Sequence, residues 1–202
     1  MNKRDIRVLL NTRATPELIR AEGYDVVIAA LGAAPARPPI PGIDGDNVRF
    51  AVDSMLHPDE LGRDVVVIGG GEVGVEAGMN LAKKGHNVTV LEMRPELAMD
   101  TTMIHYRSMF QEAWEKIPTF RGICNATVTG ITEKGVAYRD ADGLEHVIPA
   151  QSVVVSAGMK ARQEEALSFY GSAKRFFYIG DCKKAATVQQ AMRSAFAAAS
   201  QI

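Results

Sequence analysis

Three glycines between a β-branched run and a helical stretch carry the clearest chemical signal in this chain. Gly69, Gly71 and Gly74 form the pattern GxGxxG. In such a pattern the first glycine allows a tight turn, the second lets the backbone approach a pyrophosphate, and the third lets the next helix pack against a sheet. Backbone N–H groups at the start of that helix favour phosphate. The predicted phosphate-binding turn comprises Gly69, Gly70, Gly71, Glu72, Val73 and Gly74.

An acidic residue at the end of the next predicted strand extends the pattern to a dinucleotide. Glu92 lies 92 − 69 = 23 residues after the first glycine, close to the roughly 20 expected for an acid that hydrogen-bonds an adenosine ribose. Because a carboxylate there repels a 2′-phosphate, we expect NADH to bind in preference to NADPH. Met93 and Arg94 follow as further candidates. An arginine here can accommodate a 2′-phosphate, but we favour the alternative that Arg94 is a solvated loop residue.

These residues need a strand–helix–strand unit to position them, and residues 64–92 provide one. The run at 65–68 is β-branched, the helix ends at Lys83-Lys84-Gly85, and residues 87–92 form a second buried strand. Residues 126–156 switch to an apolar period of two with turn residues between the runs, which predicts an antiparallel meander that returns to a last buried strand. We therefore predict an α/β fold with a Rossmann-like parallel sheet, helices and a β-meander.

The remaining segments predict further elements around that unit. Strands are expected at 6–10, 24–32 and 176–179, and helices from Pro16, near 54–61 and over 187–201. Residues 101–116 predict an amphipathic helix, whose buried face would hold Ile104, Met109, Phe110 and Trp114. Residues 159–172 are predicted to have no regular secondary structure. Four prolines within seven positions make residues 33–46 an extended connector and a domain boundary.

Composition excludes several classes of function. The 202-residue chain has a formal charge of −1, and no cluster of basic residues exceeds a pair, so neither nucleic acid nor an acidic membrane surface is expected as a partner. No apolar span reaches membrane length, which predicts a cytoplasmic protein. The two cysteines, Cys124 and Cys182, match neither a redox pair nor a metal ribbon, which disfavours disulfide reduction. The four histidines show no metal spacing, so no metal site is predicted.

Three motifs resemble the flavoprotein reductases that carry one dinucleotide-binding domain for FAD and another for NAD(P)H. Residues 24–35 are similar to the linker strand that leaves the FAD domain, with Ala30-Leu31-Gly32 in place of Ala-Thr-Gly. The glycine turn with Glu76 resembles GxGxxGxE, and residues 177–181 resemble the second FAD motif. More narrowly, residues 11–17 and 180–185 resemble the C-terminal half of NADH:flavin oxidoreductases of the old-yellow-enzyme type, which include 2-enoate and 2,4-dienoyl-CoA reductases.

The resemblance implies a domain organisation. Residues 1–46 and 160–202 would form a partial FAD-binding domain, and residues 47–159 the NAD(P)H-binding domain. The family's first FAD strand, glycine turn and helix would precede residue 1, so the chain is expected to be a fragment. The family also has an N-terminal barrel with FMN and an iron–sulfur cluster, which we expect in missing domains.

The resemblance also assigns roles to residues outside the glycine turn. Asp181, with Gly180, would bind the flavin ribityl chain, and Gly32 would lie in the FAD linker strand. Glu76 would lie near the nicotinamide and flavin, and Gly158 would let the nicotinamide approach. Each has a structural alternative: Asp181 as a cap of the next helix, Glu76 as a solvated first-turn carboxylate, and Gly158 as a strand terminator.

Two functions from different classes follow. The first is an NADH-binding part of a flavin oxidoreductase, in which hydride passes from NADH to FAD. Because that chemistry belongs to the cofactors, we assign no catalytic residue, and the isolated fragment is expected to be inactive. The second is a non-catalytic nucleotide-binding module that senses NADH or docks on a partner. Residues 26–31 and 176–179 would lack sheet neighbours, so homo-oligomers through exposed edges are also expected.

Overall fold

The computed structural model of the protein describes residues 6–101 and 104–202. The helices are α1 (Pro16–Glu22), α2 (Ala51–Leu56), α3 (Glu72–Lys83), α4 (Ile104–Glu115), α5 (Gln163–Leu167) and α6 (Val188–Ala199), with 3-10 turns at Pro58–Glu60 and Gly180–Cys182. The strands are β1 (Val26–Ala29), β2 (Ala33–Pro35), β3 (Val48–Phe50), β4 (Asp64–Ile68), β5 (Asn87–Leu91), β6 (Phe120–Ile123), β7 (Thr127–Thr132), β8 (Gly135–Arg139), β9 (Glu145–Pro149), β10 (Ser152–Val155), β11 (Met159–Ala161) and β12 (Arg175–Tyr178).

The chain divides into two compact units. The central unit is Pro35–Gly158, and the terminal unit combines Met1–Ala34 with Met159–Ile202. The division after Ala34 falls inside the proline-rich segment 33–46. The assignment of one unit to FAD and the other to NAD(P)H remains a prediction.

A five-stranded parallel sheet forms the middle of the central unit. Its strand order is β3-β10-β4-β5-β6, and each neighbouring pair is parallel. The predicted α/β fold with a Rossmann-like parallel sheet is therefore confirmed. Strand β4 is buried on both faces, since Val65, Val66 and Val67 are almost fully inaccessible, which explains its continuous β-branched run.

The two faces of this sheet are covered by different elements. Successive side chains of a strand point to opposite faces. Val65 and Val67 accordingly pack in a cluster with Val75 and Leu81 of α3, whereas Val66 packs in a second cluster with residues of β8. The predicted meander β7-β8-β9 is antiparallel throughout. The sheet therefore lies between a helical layer and a β-meander.

Helix α3 begins and ends as the sequence predicts. Gly71 is its N-cap, Lys83 is its last residue, and Gly85 has a φ of 99°, a left-handed conformation that favours glycine. The start of the helix therefore lies directly after the tip of β4.

The terminal unit has a smaller two-stranded parallel pair, β1 with β12. Ala29, Ala166 and Cys182 form its buried cluster. The short strands β2 and β11 pair where the chain leaves and re-enters this unit.

Three local predictions were wrong. Residues 6–10 form no strand and their aliphatic side chains are exposed, because no described segment pairs with their backbone. Residues 159–172, predicted to be irregular, contain β11 and α5. In α4, Phe110 is buried as expected, but Met109 is exposed because the buried stripe is narrower than predicted; the side chain of Ile104 lies outside the described residues.

Candidate functional site

The carboxyl ends of three central strands meet at one edge of the sheet. Ile68 is opposite Leu91 in the β4–β5 register, and Gly69 N donates to Leu91 O at 2.9 Å while Ser156 N donates to Ile68 O at 2.8 Å. A pocket of about 400 Å³ opens at this edge. Carboxyl ends of parallel strands are the usual place for ligands in open α/β sheets. The pocket is lined in part by Gly69, Gly71, Glu92, Met93, Arg94, Asp100, Ser156 and Gly158.

Two glycines of the turn are required by close backbone approach. Gly69 has a φ of 101°, and a Cβ there would overlap the carbonyl oxygen of Ser156. A Cβ on Gly74 would overlap the carbonyl oxygen of Gly69. The start of α3 therefore packs directly on the end of β4, as the pattern predicts, and any larger residue at these positions would have to move backbone.

At the second glycine, Gly71, the atoms nearest to an added Cβ belong to a side chain and not to the backbone. It has φ −67° and ψ −178°, which any residue can adopt. The nearest atoms to a Cβ there belong to the Asp100 carboxylate, with Oδ2 at 2.6 Å. Its lack of a side chain instead leaves space at the start of α3, which the Asp100 carboxylate occupies in this structure.

Glu92 is buried at the wall of the site, and both of its carboxylate oxygens accept hydrogen bonds. Its Oε2 accepts from Gly70 N at 2.7 Å, and its Oε1 accepts from Arg94 N and Arg94 Nε, both at 2.9 Å. Burial acts to raise the pKa of Glu92, but the hydrogen bonds from Arg94 and Gly70 and the charge of Arg94 leave the pKa lowered. The carboxylate is therefore kept ionised, and it ties the glycine turn to the end of β5.

Arg94 is not the solvated loop residue that the sequence favours. Its guanidinium forms an ion pair with Glu92, and its side chain is only 38% exposed. The hydrogen bond to Glu92 raises the pKa of Arg94. Since a carboxylate oxygen can accept more than one hydrogen bond, Glu92 still has capacity for a ligand hydroxyl at the pocket wall. The ribose contact itself remains a prediction.

Asp100 is the residue of this site that sequence reasoning missed. Its Oδ1 accepts from Glu72 N at 2.9 Å, so a carboxylate lies at the first turn of α3. Arg94 Nη2 is 3.9 Å from the same oxygen. No motif spacing marks Asp100, because it reaches the turn from a loop that follows β5.

Of the other predicted residues of the central unit, some line the pocket and others lie on the exposed surface of α3. Val73 and Met93 are exposed, and Met93 lies on the pocket wall. Glu76 is exposed on α3, where partial burial and then the charge of Glu72 raise its pKa. Gly158 lines the pocket with a φ of 93° and open space around a Cβ position.

The terminal unit brings together the remaining predicted residues. Gly32, Gly180 and Asp181 line a separate pocket of about 380 Å³ beside α6. Gly32 and Gly180 have φ values of 72° and 63°, which favour glycine. Asp181 accepts from Ala186 N at 3.3 Å, whereas Thr187 is the N-cap of α6. Asp181 is therefore not the cap of that helix.

Two negative findings apply to the described residues. Across residues 6–101 and 104–202, no three metal-binding side chains lie close enough together to hold an ion. In the same part of the chain, no helix is both long enough and apolar enough to cross a membrane.

Known proteins resemble this chain over nearly its whole length. A bilirubin reductase of Mediterraneibacter gnavus is 31% identical over 98% of this chain and 31% of its own length. An NADH oxidase of Thermoanaerobacter brockii is 34% identical over 100% of this chain and 32% of its own length. The solved structure of a 2-naphthoyl-CoA reductase complex matches with a TM-score of 0.86 and 32% identity, over 93% of this chain and 28% of that one. The chain therefore spans about a third of the length of these relatives.

A family model covers both units. The model described as pyridine nucleotide-disulphide oxidoreductase matches residues 11–199, which include the glycine turn and the pocket beside Asp181. This chain belongs to the pyridine nucleotide-disulphide oxidoreductase family.

Proposed function

We propose that the central unit binds NADH at the pocket beside the glycine turn, in preference to NADPH. One observation carries this proposal: the turn from Gly69 to Gly74 opens onto a pocket of about 400 Å³ at the carboxyl edge of the parallel sheet, with Glu92 on its wall. A backbone turn of this kind at a helix start suits a pyrophosphate.

Each residue would have a distinct part in binding. At Gly71, which has no side chain, the pyrophosphate would approach the N–H groups of the first turn of α3. Glu92 would accept a hydrogen bond from an adenosine ribose hydroxyl and disfavour a 2′-phosphate. Arg94 is already engaged by Glu92, which supports NADH over NADPH. Gly158 would leave room for the nicotinamide ring.

We further propose that the terminal unit contributes to an FAD site. Gly32 and Gly180, both in the left-handed conformation, line its pocket without side chains of their own, and Asp181 presents a carboxylate there, which fits hydrogen bonding to the hydroxyls of a ribityl chain. FAD, when bound, supplies the hydride acceptor for NADH. The family match supports this assignment, as does the similarity to an NADH oxidase.

The wider activity is also proposed from the relatives. A bilirubin reductase and a 2-naphthoyl-CoA reductase are among the similar proteins, so a longer protein containing this chain would pass electrons to an organic acceptor. FMN and an iron–sulfur cluster would then lie outside these 202 residues. We propose no residue as acid or base in hydride transfer, because that chemistry belongs to the cofactors.

The proposal is tested by calorimetric titration with NADH and, separately, NADPH, together with a visible spectrum of the purified protein. We expect NADH to bind at least about tenfold more tightly, a difference of about 1.4 kcal/mol. Glu92→Ala should remove that preference, whereas Glu133→Ala, in an exposed turn of the meander, should keep it. Equal or inverted affinities in the wild-type protein would contradict the predicted specificity.

The visible spectrum separates the two classes of function. A yellow protein whose flavin is bleached by NADH would support the oxidoreductase. A colourless protein that still binds NADH, and that gains no colour after incubation with FAD, would favour the non-catalytic nucleotide-binding module.

A further inference from the structure

A carboxylate of the chain itself lies where the proposed site would hold phosphate. Asp100 Oδ1 accepts from Glu72 N at 2.9 Å, and Asp100 Oδ2 lies 2.6 Å from the position of a Cβ on Gly71. The first turn of a helix has free N–H groups and a positive partial charge, so it attracts anions. In this structure the anion at that position is Asp100.

The backbone before Asp100 is firmly anchored. Ala98 N donates to Gly70 O at 2.7 Å, and the side chains of Leu97 and Ala98 are buried. Ala98 has a φ of 54°, an uncommon conformation for a residue other than glycine, and it directs the chain back over the turn. The segment of residues 97–100 therefore carries the carboxylate to the start of α3 by its fold.

The carboxylate itself is free to leave. The Asp100 side chain is 52% exposed, and a change of side-chain rotamer would carry its carboxylate into solvent without moving Leu97 or Ala98. Within residues 6–101 and 104–202, its partners are one backbone N–H and the guanidinium of Arg94, at 3.9 Å, and that guanidinium is already paired with Glu92. Side-chain rotation on this scale is fast.

A pyrophosphate and this carboxylate cannot share one position. Both are anions, both would accept from the same N–H groups, and Asp100 lines the same pocket as Gly71 and Arg94. We propose that Asp100 occupies the pyrophosphate position in the free protein, so that NADH binds only by displacing its carboxylate. This inference rests on the proposed NADH site. Asp100 then acts as a built-in competitor that lowers the affinity of the central unit for NADH.

The substitution Asp100→Asn tests the competition without removing the hydrogen bond to the first turn of α3. The asparagine amide oxygen can still accept from Glu72 N, because asparagine and aspartate oxygens are comparable acceptors at helix starts. Only the negative charge is lost. We expect NADH to bind about tenfold more tightly to Asp100→Asn than to the wild-type protein. ADP-ribose, which has the pyrophosphate but lacks the nicotinamide, should gain by a similar factor.

The matched control is Asp59→Asn. It removes the same charge from the same unit, and Asp59 is exposed and does not line the pocket, so NADH affinity should not change. Melting temperatures of all three proteins show that each is folded.

The outcomes distinguish this inference from the function on which it rests. If the wild-type protein binds NADH and Asp100→Asn binds it equally or more weakly, Asp100 does not compete, and only this inference is overturned. If Asp100→Asn binds NADH more tightly than the wild-type protein does but binds ADP-ribose no more tightly, the proposed competition at the pyrophosphate position is overturned. If neither protein binds NADH, the inference falls together with the proposed site.

Discussion

At the scale of single residues, Glu92 contributes both to the stability of the fold and to the proposed nucleotide site. Its carboxylate is buried, yet it is held by one N–H of the glycine turn and two of Arg94. The same group that would select the nucleotide therefore also fixes the turn that would bind it.

This double role predicts a pH-dependent loss of stability. The pKa of Glu92 is lowered in the folded protein, so its ionised form stabilises the fold above the unfolded pKa of about 4.3, and that contribution is lost as pH falls through the lower folded pKa. Glu92→Gln should lower the free energy of unfolding near neutral pH by about 1–3 kcal/mol, because a buried donor loses its acceptor.

Urea unfolding of both proteins at about pH 7 and about pH 3.5 measures this difference. The gap between wild type and Glu92→Gln should shrink at the acidic pH. Glu133→Gln, at an exposed carboxylate, serves as the control and should show little change. A gap that stays constant with pH would mean that the charge of Glu92 does not stabilise the fold.

The sequence predicted the positions of these residues better than their partners. Spacing after a strand placed Glu92 at the sheet edge, because strand length and direction determine where a strand ends. It could not predict that Arg94 would turn back onto Glu92, since a loop side chain is oriented by tertiary contacts. Asp100 was missed for the same reason: its approach to Glu72 depends on the left-handed Ala98.

At the scale of elements, the junction of β4 and α3 is the least tolerant part of the site. A Cβ on Gly74 would overlap the backbone oxygen of Gly69, which cannot move without shifting the strand end. We expect Gly74→Ala to destabilise the protein by about 1–3 kcal/mol and to weaken NADH binding, because the first turn of α3 would be displaced.

Thermal unfolding followed by circular dichroism tests this expectation. Gly130→Ala is the matched control, since the nearest atom to a Cβ on that strand glycine is 3.9 Å away, and it should leave the melting temperature nearly unchanged. A Gly74→Ala protein as stable as the control would show that the junction has room the structure does not indicate.

Elements with strong local signals were predicted well. The β-branched run of β4, the glycine end of α3 and the alternating meander all formed where expected, because each pattern matches one geometry. Residues 6–10 have a similar aliphatic character but form no strand, since a strand requires a paired neighbour. Helix α5 was missed because its five residues are too few to show a helical periodicity in the sequence.

At the scale of the whole molecule, the terminal unit has a small sheet with open edges. Among the described residues, β1 and β12 pair only with each other, and Ile28 on β1 is 42% exposed. Unpaired strand edges promote association between chains. We therefore expect the protein to self-associate as its concentration rises.

Sedimentation velocity over a range of concentrations measures this association. Ile28→Lys should weaken it, because a charge on an edge strand opposes pairing with another chain. Leu144→Lys places the same charge at an exposed apolar residue of the meander and should leave association unchanged. A wild-type monomer with no concentration dependence would contradict the prediction.

The central claim, that NADH binds at the glycine turn, is tested most directly by calorimetric titration of wild type and Gly71→Val with NADH. Valine can adopt the backbone conformation of Gly71, and a Cβ there meets first the movable carboxylate of Asp100, so the variant should fold while its side chain blocks the pyrophosphate. We predict that the wild-type protein and Gly130→Val bind NADH and that Gly71→Val does not. Equal binding by a folded Gly71→Val, or no binding by the wild-type protein, would contradict the account.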